Sequence, residues 1–80
     1  MTPEQIQNLI ETNLPDSSAT VVSDDNTHYE ATVISNTFEG KRLIQRHQLV
    51  YRAIGDSVGV DIHALSIRAL TPDEWAARSA

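Results

Sequence analysis

The chain has 80 residues, with eleven acids against six Lys and Arg, a formal charge of −5 and no cysteine. That length bounds it to one domain, residues 1–80, near the smallest size at which a single core suffices. The missing thiols exclude a disulfide framework and a self-contained cysteine metal site, and the acidity argues against a protein whose main work is neutralising phosphate backbones.

The N-terminus, MTPEQIQNLIETN, is polar and amphipathic, which does not read as a signal peptide. No apolar run approaches the roughly 20 residues of a membrane helix. A soluble, cytoplasmic chain without membrane contact is expected. Thr2-Pro3-Glu4-Gln5 reads as an N-cap, a proline at the first helical position and a capping-box Gln. Ile6, Leu9 and Ile10 follow as an i, i+3, i+4 stripe, and Pro15 closes the helix.

Ala19 to Ser23 reads as a short strand and Asp24-Asp25-Asn26-Thr27 as turn chemistry. His28 to Ser35 alternates, with Tyr29, Ala31 and Val33 on one face and Glu30, Thr32 and Ile34 on the other. Two strands so closely joined predict a hairpin. NTFEG, residues 36–40, reads as a second turn leading to a helix over about Lys41 to Ile54. Leu43, Ile44, Val50, Tyr51 and Ile54 share one face of that helix, with His47 inside the stripe, so all six are expected to point inward.

Gly55 and Gly59 break the pattern, and Ile62 to Leu70 predicts a third strand. Thr71-Pro72-Asp73-Glu74 repeats the opening signature and starts a last short helix carrying Trp75. The order is αββαβα. A strand–helix–strand crossover implies that the second and third strands are parallel, so the sheet is mixed, with the helices on one face.

Few residues carry chemistry. Gly55-Asp56-Ser57-Val58-Gly59 matches the G-x-S-x-G elbow of α/β-hydrolases. It follows a helix and precedes a strand, the reverse of the context that strains the serine outward. Asp24-Asp25-Asn26 lacks the calcium-loop spacing and is explained as a turn. No carboxylate pair demands acid–base work, so no enzyme is expected. Lys41, Arg42, Arg46 and Arg52 cluster on one helix, as a local basic patch or as a solvated face. His47 reads as a hydrogen-bonded core residue. His28 and His63 open two strands expected to run parallel, which puts them at the same end of the sheet. There they are either ordinary strand-end histidines or half of a metal site needing outside ligands.

Three separated blocks resemble the BolA family. They are THYEATVISNTFEG (residues 27–40), RHQLVY (46–51) and IHALSIRALTPDEW (62–75), in order and at matching spacing. The short chain and direct hairpin resemble the bacterial IbaG (YrbA) branch. The resemblance implies a class II KH-like α+β fold, αββ(α)αβα, with a three-stranded mixed sheet and helices on one face. It also implies a monothiol glutaredoxin as partner, the heterodimer sharing a [2Fe–2S] cluster with the glutaredoxin cysteine and glutathione. The expected role is iron–sulfur cluster trafficking or iron, redox and stress regulation.

The family's best-supported ligand falls on His63; His28 matches a second histidine position with weaker support. Many relatives carry another His or Cys in a longer first loop, which Asp24 to Thr27 lacks, leaving the fourth ligand unassigned. No cluster is expected on the chain alone, since it offers no thiolate. The alternatives are a clusterless adaptor or a nucleic-acid-binding regulator using Lys41, Arg42, Arg46 and Arg52. The G-x-x-G loop of nucleic-acid-binding KH folds is missing, Gly40-Lys41-Arg42-Leu43 lacking its second glycine, so any such binding is expected to be weak.

Overall fold

The computed structural model describes residues 1–55 and 64–79. Helix α1 spans Pro3–Asn13, strands β1 and β2 span Ser17–Val22 and His28–Ser35, and a 3-10 turn covers Asn36–Phe38. Helix α2 (Leu43–Ile54), strand β3 (Ala64–Leu70) and helix α3 (Pro72–Ser79) complete the order. β2 lies in the middle of the sheet, antiparallel to β1 and parallel to β3. This is the expected α+β architecture with a three-stranded mixed sheet.

The helix starts are local chemistry. At α1, Thr2 Oγ1 accepts from the Gln5 N–H at 3.2 Å and Gln5 Oε1 accepts from the Thr2 N–H at 2.8 Å. At α3, Thr71 and Glu74 make the same reciprocal pair, at 3.2 and 2.9 Å. Each box satisfies two N–H groups that no intrahelical carbonyl reaches. Helix α2 uses half of the device, the Arg42 N–H donating to Gln45 Oε1 at 3.0 Å. It ends at Gly55, whose φ of 78° a side chain would resist.

Alternation in β2 buries Tyr29, Ala31, Val33 and Ser35, which meet Ala19 and Val21 of β1 and Ala69 of β3 on one face. Ile6, Ile10 and Leu14 from α1 and Val50, Ala53 and Ile54 from α2 cover that face. The other face carries Thr20, Glu30, Ser66 and Arg68, polar enough to meet water. Outward N–H groups of β1 are taken up by α1: Ala19 donates to Glu11 Oε2 at 3.0 Å and Val21 to Gln7 Oε1 at 2.9 Å.

Several expectations are corrected. β1 begins at Ser17 rather than Ala19, and α2 begins at Leu43, Lys41 and Arg42 being an extended lead-in. Phe38, read as part of a turn, is fully buried on its 3-10 turn. The inward face of α2 is rotated: it consists of Arg46, Val50, Ala53 and Ile54, whereas Leu43, Ile44 and Tyr51 are exposed and His47 is half-buried. The first part of the third strand, Ile62 and His63, lies outside the described residues, as does Asp56–Gly59 of the G-x-S-x-G match.

Arg46 causes the rotation. It is 8% exposed, and its Nε donates to the Lys41 carbonyl at 2.9 Å. Nη1 donates to the Ala69 carbonyl at 3.0 Å and to Glu74 Oε1 at 2.7 Å. Its Nη2 reaches Glu74 Oε2 at 3.3 Å, and the guanidinium lies 5.9 Å from the Phe38 ring centroid. A forked cation of this kind can be buried because it has several acceptors.

Arg46→Ala should cost about 2–4 kcal/mol in denaturant unfolding, because two carbonyls lose charge-assisted bonds and Phe38 loses a packing partner. The Arg46 guanidinium, with the Thr71 N–H next in effect, holds the Glu74 carboxyl at about 2 against its usual 4.5. A depressed folded pKa stabilises the fold above the unfolded value and ceases to do so as the pH falls. Stability should therefore drop between about pH 4.5 and pH 2, and Glu74→Gln should flatten that part of the profile.

Candidate metal-binding rim

The β1–β2 turn is organised by Asp25. Its Oδ1 accepts from the Thr27 and His28 N–H groups, each at 2.9 Å, as an Asx turn does. Ser23 Oγ accepts from the Asn26 N–H at 3.0 Å, and Asn26 takes a φ of 54°, which asparagine tolerates. Tyr29, buried below, donates its hydroxyl to the Asn26 carbonyl at 2.6 Å and also meets the Met1 carbonyl. The turn thus fixes the first residue of β2.

That residue is His28. Its Nδ1 lies 2.9 Å from Asp25 Oδ2, and the two side chains are 69% and 53% exposed. The His28 backbone N–H, then its ring, then the Thr27 N–H hold the Asp25 carboxyl well below the usual carboxylate range. An ionised carboxylate at Nδ1 favours the tautomer with the proton there, which turns the Nε2 lone pair outward. This is how a second carboxylate commonly orients a metal-binding imidazole.

The parallel register places His28 opposite Ala64, the residue that follows His63 in the sequence, and the Ala64 N–H meets the Thr27 carbonyl at 3.4 Å. His63 itself lies outside the described residues. A cleft of about 480 Å³ opens beside the pair, lined by Asp24, Asp25, His28, Glu30, Ala64 and Ser66 among others. Among the described residues no three His, Asp or Glu side chains converge as a metal site. The one donor the described residues offer here that suits a transition metal is the His28 imidazole, oriented by Asp25.

The basic residues separate. Lys41, Arg42 and Arg52 are exposed, and Lys41 and Arg52 border a shallow groove of about 300 Å³ with Gln45, Gln48 and Leu49. Arg46 faces the opposite way, bound to Glu74 and to two carbonyls, and cannot join an outward patch without unmaking the fold.

Residues 4–74 match the family model described as BolA-like protein. The chain belongs to the BolA-like family. A solved structure of a bolA protein homologue from Coxiella burnetii superposes with a TM-score of 0.81 at 45% identity, covering 95% of this chain and 97% of that one. Human BolA-like protein 1 is 45% identical over 49 residues, which is 61% of this chain and 36% of that protein. The DNA-binding transcriptional regulator BolA of Haemophilus influenzae is 34% identical over 53 residues, 66% of this chain and 52% of that protein. The aligned part therefore spans about a third to a half of these curated BolA-like relatives. Within the family fold, His28 was legible as a strand-opening histidine. Its pairing with Asp25 was not, although a D-x-x-H spacing at a hairpin turn is the signal that could have found it.

Asp25→Ala should leave the core intact while unfastening the turn. Amide hydrogen exchange at Thr27 and His28 should accelerate, with exchange at Val33 and Val50 unchanged.

Proposed function

We propose that this BolA-like chain is a partner of monothiol glutaredoxins. In the heterodimer it would share a [2Fe–2S] cluster with the glutaredoxin cysteine and glutathione, in cluster trafficking or iron and redox regulation. The observation that carries the reading is the rim. An exposed imidazole, its Nδ1 held by Asp25, stands across the sheet register from the residue after His63, in a chain with no thiol.

His63 and His28 are the residues that would face the cluster, with His63 the principal ligand by family resemblance. The cluster, when bound, supplies a redox-active iron pair whose potential rises when imidazole replaces a thiolate. What this chain contributes is an imidazole nitrogen donor at the start of β2 and, in the turn before it, the carboxylate that orients the ring. In this reading it acts as a partner and not as a catalyst.

Mixing the full chain with a glutathione-loaded monothiol glutaredoxin should give a heterodimer whose visible absorption and circular dichroism differ from those of the glutaredoxin homodimer. His63→Ala should remove that signature without unfolding the domain, and His28→Ala should weaken it. A holo heterodimer with an unaltered spectrum in the His63→Ala variant would leave a clusterless adaptor as the function.

The name of the Haemophilus relative and the exposed Lys41, Arg42 and Arg52 favour one further reading, binding to nucleic acid. With three outward cations on a body of charge −5, that binding should be weak and indifferent to sequence. Its log affinity should fall with log salt at a slope of about −2 to −3. Lys41→Ala with Arg52→Ala is the informative variant, since removing Arg46 would damage the fold. A sequence-specific complex that persists at about 0.15 M salt and is abolished by that variant would make DNA the primary partner.

A further inference from the structure

Helix α2 has a second apolar face. Leu43 and Ile44 are 66% and 67% exposed and Tyr51 is 39% exposed, large apolar side chains with no role in the core. At 100° per residue, Leu43, His47, Tyr51 and Ile44 fall within about 100° of arc, adjoining the buried face and overlapping it only at the Leu43 edge, where Ile54 turns inward. Scattered exposed aliphatics are ordinary on a protein surface, whereas a stripe on one helix flank marks a contact.

Its border is charged with one sign. From Lys41 to Gly55 the sequence has no acidic residue, in a chain where acids outnumber bases eleven to six. Glu74 neutralises Arg46, and among the described residues Lys41, Arg42 and Arg52 have no salt-bridge partner. Lys41 and Arg52 lie next to the stripe across Gln48, lining the same groove. The surface therefore combines aliphatic anchors with Lys41 and Arg52 along one border and Arg42 at the start of the helix.

We propose that this flank of α2 docks a partner protein through an acidic amphipathic helix. Its aliphatic side chains would cover Leu43, Ile44 and Tyr51, and its carboxylates would face Lys41, Arg42 and Arg52. Helix-on-helix packing uses such i, i+4 anchors, and charge complementarity sets the orientation. Phosphate backbones would use the cations and leave the aliphatic stripe wet. A second copy of this chain would bring two rows of like charge together.

The surface is also separate from the histidine rim. Arg46, one helical turn from Leu43, reaches the Ala69 carbonyl, whereas His28 pairs with Ala64 at the other end of β3. Five residues of strand, roughly 17 Å, divide the two places. A chain engaged at the rim can hold another protein on α2.

The test is a titration of the isotope-labelled full chain, followed by amide chemical shifts. The probe is a helical peptide of about 18 residues with leucine at i, i+4 and i+7 and glutamate between. Controls are a scrambled peptide of the same composition and a single-stranded oligonucleotide. The designed peptide should move the amides of Leu43 to Arg52. Leu43→Ser with Ile44→Ser, both exposed, should weaken it by about tenfold or more with the spectrum of the fold retained. Lys41→Ala with Arg52→Ala should weaken it several-fold and flatten its salt dependence, while His28→Ala with His63→Ala should leave it unchanged. Equal binding of the scrambled peptide, tighter binding of the oligonucleotide at α2, self-association lost in the Ile44 variant, or no shift at millimolar peptide would each overturn the proposal.

Discussion

The guanidinium of Arg46 is the interaction on which most of the molecule depends. It joins the lead-in to α2, the end of β3, the 3-10 turn through Phe38 and the start of α3 through Glu74. Helix α3 needs this tie more than the others, because its described side chains are all exposed and Pro72–Ser79 is short for a helix. Glu74 serves two neighbours at once, closing the capping box with Thr71 and forking onto Arg46. One carboxylate thereby sets where α3 starts and where it sits.

The remainder follows from a sheet covered on one side only. In a domain of this size, α1 and α2 suffice to bury one face, and the polar face needs no cover. β2 is central, and the Asp25 turn holds its first residue, His28, at one end of the polar side. The opposite end is occupied by the Arg46 assembly. The buried cation and the exposed histidine thus lie at different ends of the same sheet.

What the sequence disclosed was mainly local. The capping signatures at Thr2 and Thr71, the alternation of Tyr29, Ala31 and Val33 and the limits of β2 were legible because neighbours in the chain determine them. The face of α2 was not. Leu43 and Ile44 outrank Arg46 in hydrophobicity, and Arg46 turns inward only because Glu74 and the Ala69 carbonyl, more than twenty residues away, receive it. Phe38 was hidden in the same way, inside a segment whose Asn, Thr and Gly read as turn chemistry. At the rim, His28 was legible from its place before an alternating strand. The Asp25 contact depends on a turn geometry that spacing suggests but does not determine.

Gln7 and Glu11 lend their side-chain oxygens to the Val21 and Ala19 N–H groups on the outer border of β1. In effect α1 plays the part of a fourth strand along that border. A naked border of this kind is what recruits foreign strands and seeds fibrils. Covering it with an amphipathic helix shields that border without lengthening the sheet. The same economy restricts drift at two surface positions that look unimportant by burial: each must retain an oxygen acceptor of the right reach, whatever its charge.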